Sequence, residues 1–140
     1  MNKPTPDASA AAGSTLAAGS PKIVCICGST RFVDVMAVWA WDEEKKGHIA
    51  LACHLLPHWY GAQAHHQAEE EGVAEILDAL HLRKIDMADE VLVCNLDGYV
   101  GDRTRIETEY AMRKGKPIRW YEPDSVPSWA NKVDNNPGRA

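Results

Sequence analysis

Glu107 stands in a stretch, Gly98 to Ala111, that reads Gly-Tyr-Val-Gly-Asp-Arg-Thr-Arg-Ile-Glu-Thr-Glu-Tyr-Ala. A short apolar run, Val91 to Asn95, leads into this Gly-rich turn, and a helix is expected to open near Thr104. A carboxylate in the first turn of such a helix lies where an α/β sheet gathers its chemistry, at the carboxyl end of a strand. From there it can attack an electrophilic carbon. The same residue has a second use. Thr104-x-x-Glu107 fits a capping box, in which the Glu side chain returns to the backbone N–H of the N-cap residue. Spacing leaves both uses open. A second stretch, Gly28-Ser29-Thr30-Arg31, offers backbone N–H groups, two hydroxyls and a guanidinium at a helix start. Those are the parts of an anion or phosphate cradle, and equally of an ordinary strand-to-helix turn with a Ser or Thr cap.

Other residue types capable of chemistry carry weaker patterns. His54, His58, His65 and His66, with Glu69 and Glu70, show no metal-ligand spacing on a clear helix and read as a solvated or lid segment. Cys25, Cys27, Cys53 and Cys94 lack the paired C-x-x-C spacing of a zinc site. Cys25 and Cys27 share one face of a strand but are poorly placed to pair, so buried free thiols in a reducing cytoplasm are expected. No metal and no cofactor is expected. His81 lies one turn after Asp78 on a helix, and Glu109 sits four residues before Arg113 as a surface pair. Trp39, Trp41, Trp59 and Trp120 read as core or pocket-wall residues.

The elements that must position these groups alternate. Ile23–Cys27 is a continuous apolar run bounded by Pro21 and Gly28, as a buried parallel strand would be. A helix follows from about Arg31 to Lys46, with Phe32, Val35, Met36 and Trp39 at helical spacing. His48–Leu56 is the second strand, and Pro57 to Gly61 breaks it. After an ambiguous segment, Ala62 to Gly72, a helix spans Val73–Met87 with Val73, Ile76, Leu77, Leu80 and Ile85 on its apolar side. Val91–Asn95, a helix from Thr104 to Lys114, and a strand from Pro117 to Tyr121 complete the domain. Strand–helix repetition of this kind predicts a small doubly wound α/β domain with a parallel sheet of four strands in the order 2-1-3-4, covered on both faces. That order makes strands 1 and 3 neighbours and brings the Gly28–Arg31 and Leu96–Thr104 loops together.

Length and composition bound the rest. The 140 residues suggest one domain, expected over 22–122, between a low-complexity disordered tail over 1–21 and a polar tail over 123–140 that wraps a neighbour through Trp129. A net charge of −5 excludes a general nucleic-acid or anionic-membrane surface and leaves room for a small anion held by local arginines. No run approaches a membrane span, and the amino terminus does not read as a signal peptide.

Three of these stretches together resemble the nucleoside 2-deoxyribosyltransferase superfamily. Val24-Cys25-Ile26-Cys27-Gly28-Ser29-Thr30-Arg31 is similar to its opening strand and phosphate loop. Ile85-Asp86-Met87-Ala88-Asp89-Glu90-Val91-Leu92-Val93 is similar to its helix-to-strand stretch, and Thr104 to Ala111 to its G-T-x-x-E-x-G-x-A. The resemblance covers about Lys22 to Glu122 and implies a flavodoxin- or Rossmann-like fold. It also implies an N-glycosidase or deoxyribosyltransferase. Glu107 would attack C1′ of a nucleoside or nucleoside 5′-monophosphate, the base would leave, and water or an acceptor base would resolve the glycosyl-enzyme ester. Gly28, Ser29, Thr30 and Arg31 would hold a 5′-phosphate, and Gly101 and Thr104 would line the substrate site. Tyr110, or Tyr99, would orient the carboxylate or touch the sugar. His81 stands where the family commonly has an Asp that handles the leaving base, and imidazole exchanges protons near neutral pH. Cys25 replaces an aromatic residue and Glu109 a Gly, which keeps a non-catalytic nucleotide-binding module open as the alternative. A homodimer or higher homo-oligomer is expected by analogy, with Trp59, Tyr60 and the C-terminal tail as contact surfaces.

Overall fold

A computed structural model of the chain describes residues 19–61 and 66–132. The sheet has four strands, β1 (Ile23–Gly28), β2 (Ile49–Ala52), β3 (Glu90–Cys94) and β4 (Ile118–Trp120), in the order 2-1-3-4. Every pairing is parallel. The helices are α1 (Val33–Lys45), the single turn α2 (Gln67–Glu70), α3 (Ala74–Met87) and α4 (Asp102–Arg113). The doubly wound α/β architecture read from the strand–helix alternation is the one observed.

The strand period of two divides the core. Cys25 and Cys27 of β1, with Val91 and Val93 of β3, face α3 and α4 and pack with Ile85, Ala88 and Ala111. Val24, Ile26, Leu92 and Cys94 face the other way and pack on Met36 of α1. Both faces are thus covered, which is why β1 and β3 are apolar without alternation. Gly28 is required by this packing. A Cβ there would come within 2.7 Å of Met36 Sδ and 2.9 Å of Cys94 Cβ, so α1 can close on the sheet only over a glycine.

Several elements differ from the expectations. Strand β2 ends at Ala52, four residues short of Leu56, because the chain peels away into the loop that carries Cys53 and His54. Helix α3 does not bury the whole apolar stripe. Ile76 and Leu80 are exposed, while His81 and Ile85 point inward. Trp41 and Trp59 are exposed instead of core, and Trp39 packs edge-on against Tyr121. Glu109 pairs with Arg105 at 3.1 Å, not with Arg113. Arg105 also lies over the Trp129 ring.

The chain continues in order past residue 123. Asn95 is fully buried and its amide clasps this segment, donating to the carbonyls of Glu122 (2.9 Å) and Ser125 (3.2 Å) while accepting from the Glu122 N–H (2.7 Å). Trp129, the residue expected to reach a neighbour, packs edge-on against Trp120. Residues 1–18 and 133–140, expected as parts of the two tails, lie outside the described residues. No helix among the described residues is long and apolar enough to cross a membrane.

Candidate active site

The loops that leave the carboxyl ends of β1, β2 and β3 surround a cavity of about 580 Å³. Gly28, Ser29 and Thr30 come from the first loop, Cys53 and His54 from the second, and Tyr99 and Gly101 from the third. Helix α3 adds Asp78, His81 and Lys84, and α4 adds Arg103, Thr104 and Glu107. Two stretches nearly 80 residues apart in sequence therefore share one cavity, because β1 and β3 are hydrogen-bonded neighbours.

Helix α4 begins two residues earlier than its sequence suggests. Its N-cap is Gly101, whose carbonyl accepts from the Arg105 N–H at 2.9 Å, and no side chain caps it. Thr104 is therefore inside the first turn, and its carbonyl accepts the Thr108 hydroxyl at 2.7 Å. Glu107 lies one turn further in, out of reach of an N-cap N–H, so the capping box is not formed. The carboxylate is left for the cavity.

Its surroundings are poor in compensation. The Glu107 side chain is 14% exposed, and its nearest ionic partner is His81, with Oε1 3.7 Å from Nε2. Burial raises its pKa to about 7, helped by the nearby Cys25 and Asp78 and opposed by His81 and Arg103. His81 is itself buried. Desolvation works to depress its pKa, but the Cys25 sulfur and the Glu107 carboxylate outweigh that and hold it above the ordinary value. Its Nδ1 is buried with no hydrogen-bond partner among the described residues. Three polar groups gather at Nε2: Cys27 Sγ at 3.2 Å, Cys25 Sγ at 3.7 Å and Glu107 Oε1 at 3.7 Å. Cys25 is lowered to about 6, first by its hydrogen bond with Cys27, while Cys27 is raised by the same bond and by burial. The two thiols behave as one shared site.

Seven of the expected site residues meet at this cavity: Gly28, Ser29, Thr30, His81, Gly101, Thr104 and Glu107. Two do not. Arg31 is exposed and lies over the Tyr99 ring at 4.0 Å, and it is not among the residues that line the cavity. Tyr110 lies on the other side of α4, where its hydroxyl donates to Asp86 at 2.7 Å and accepts from Arg83 at 3.0 Å. It is withdrawn as an orienting group. Ser29 acts as a cap, accepting the Arg31 N–H at 3.2 Å.

Three cavity residues carried no clear signal in sequence. Asp78 is held by Arg103 at 2.7 Å, and Arg103 also reaches Glu69 of α2 at 3.7 Å. Lys84 donates to the Ala52 carbonyl at 2.7 Å and so ties α3 to the end of β2. The i, i+3 spacing of Asp78 and His81, and of His81 and Lys84, places all three on one face of α3 and was the available clue. Of the histidine-rich segment, His54 lines the cavity and His58 pairs with Asp34 at 3.2 Å, while His65 lies outside the described residues.

A scan against protein-family models, a search of curated proteins and a search of solved structures found no match to this chain.

Proposed function

We propose that the protein cleaves or transfers at the N-glycosidic bond of a nucleoside or nucleoside 5′-monophosphate, with Glu107 as nucleophile. The observation that carries this reading is the Glu107 carboxylate itself, largely enclosed, not used in a capping box and lining the same cavity as Gly28, Ser29 and Thr30. In this reaction the sugar becomes cationic at C1′ as the bond to the base breaks. A fixed carboxylate is matched to that charge, and its own burial cost falls as the charge develops. Glu107 then closes on C1′ to form a glycosyl ester, which water or an acceptor base resolves with retention.

The other groups have separable tasks. His81 holds a proton near Nε2 and balances the Glu107 charge before substrate arrives. Asp78, one turn before His81 on α3, is one of the other carboxylates lining the cavity and is suited to handle the leaving base. Ser29 and Thr30, at the start of the turn Thr30–Phe32, offer backbone and hydroxyl groups to a phosphate, and Arg103 supplies positive charge in the cavity. Tyr99 gives a ring wall stiffened by Arg31 and by Phe32.

The test is to incubate the full chain with ribo- and deoxyribonucleoside 5′-monophosphates and follow free base by chromatography, with Glu107→Ala as control. Base release that depends on Glu107 supports the proposal. Nucleotide binding by calorimetry with no release above the variant would transfer the support to a non-catalytic binding module.

A further inference from the structure

Behind the cavity, Cys25 and Cys27 of β1 and His81 of α3 bring two sulfurs and one ring nitrogen together within 4.8 Å of one another, all three side chains buried. Cys25 and Cys27 come together because a strand places residues i and i+2 on one face. His81 reaches them from the helix packed on that face, 56 and 54 residues along the chain. We propose that this cluster is a binding site for a thiophilic divalent cation of the zinc class.

The geometry needs little adjustment. A tetrahedral zinc with bonds of about 2.3 Å to sulfur and about 2.0 Å to nitrogen separates its S and N ligands by roughly 3.5 Å. The two sulfurs lie 3.7 and 3.2 Å from His81 Nε2, one on either side of that value. One nitrogen thus faces both sulfurs, as a shared metal ligand must.

Charge favours the same occupant. Two thiolates and a neutral imidazole around a dication sum to zero, so the ion can sit in a dry site without a net buried charge. A hard cation such as magnesium or calcium is unsuited to a set with two sulfurs and no oxygen. Three protein ligands leave a fourth tetrahedral position to solvent or another ligand, and His81 also lines the cavity, with Glu107 Oε1 3.7 Å from its Nε2. That is the three-ligand, open-position pattern of an accessible site instead of a closed structural one.

Ion binding is independent of the glycosidase reading. Only the consequence for catalysis rests on that reading: while Nε2 of His81 ligates the ion it cannot hold the proton that balances Glu107.

The test uses the reduced, full-length chain stripped of metal by a chelator, then supplied with zinc and passed through gel filtration. Metal analysis is expected to give one zinc per chain. X-ray absorption on that zinc-loaded protein is expected to show two sulfur and two nitrogen or oxygen neighbours. Cobalt in place of zinc should give a thiolate-to-cobalt charge-transfer band. Cys25→Ser and Cys27→Ser should each lose the retained zinc, and Cys94→Ser, on the opposite face of β3, should keep it. Circular dichroism checks that each variant is folded. No retained zinc, or a shell with fewer than two sulfurs in the wild-type protein, overturns the proposal whatever the variants do.

Discussion

Two largely enclosed glutamates, Glu43 and Glu107, face opposite fates in this small domain. Glu43, near the end of α1, is fully buried but surrounded by partners. Arg119 donates to it at 2.8 and 3.3 Å, His48 lies at 2.8 Å and Lys46 at 3.1 Å. Arg119 also joins it to Glu90, which Lys22 binds at 2.7 Å. The Arg119 hydrogen bonds hold Glu43 down to about 2 despite burial, and Glu90 likewise. Glu107 has burial with almost none of this compensation, and its pKa rises to about 7. The first carboxylate joins α1 to β3 and β4. The second is held at an energetic cost beside a cavity. A group kept that way is the sort that chemistry uses, because a developing positive charge can relieve it.

The sharpest way to break this contrast is Glu107→Gln. Base release by folded protein should fall by at least about 10³-fold, since the amide cannot serve as nucleophile. Chromatography of released base at matched folded concentration measures it. A variant that retains activity would end the case for Glu107.

Glu43→Ala should cost about 3–5 kcal/mol in urea unfolding, because it removes a carboxylate on which Arg119, Lys46 and His48 converge. A loss below about 1 kcal/mol would show that the cluster is not holding the sheet together.

The pH dependence carries the same contrast. The Glu43 and Glu90 carboxyls have folded pKa values near 2, below the ordinary 4.5. Their stabilisation is therefore complete above pH 4.5 and is lost as pH falls from there toward 2. For Glu43 alone the loss is on the order of 3 kcal/mol. Acid unfolding followed by circular dichroism should show a transition in that window, and Glu43→Gln should flatten it.

Glu107→Gln is expected to move stability the other way, raising it by about 1–3 kcal/mol at pH 8 by removing a poorly paired buried charge. A destabilised variant would mean that the His81 contact outweighs burial. The smallest effect is expected at Tyr110, which bridges Arg83 and Asp86 at the surface of α3. Tyr110→Phe should lower stability by about 0.5–1.5 kcal/mol.

What the sequence made legible follows from local signals that tertiary structure had no reason to override. The apolar runs at Ile23–Cys27 and Val91–Asn95, the helical spacing over Val73–Met87 and the glycines at 28 and 115 were enough for a parallel 2-1-3-4 sheet. That order in turn placed the Gly28 and Gly101 loops together. The start of α4 was not legible, because Asp102 and Thr104 are both credible helix-start residues and only the backbone path from β3 chooses Gly101 as the cap. The facing of α3 was not legible either. Its most apolar stripe includes Ile76 and Leu80, yet the helix turns His81 inward against Cys25 and Cys27. The placements of Tyr110 and Arg31 off the cavity lining were not legible for the same reason, since helix rotation and a ring at Tyr99 decide where each points.

The sequence by itself determined the order of elements, because hydrophobic period and turn chemistry are properties of neighbouring residues. Only the tertiary structure decided which polar groups share a buried space. Glu43 with Arg119, separated by 76 residues, and His81 with the two thiols are long-range meetings. The same residue type is a brace in one place and a poorly compensated carboxylate at a cavity in the other, according to the partners that the folded chain brings within hydrogen-bond reach.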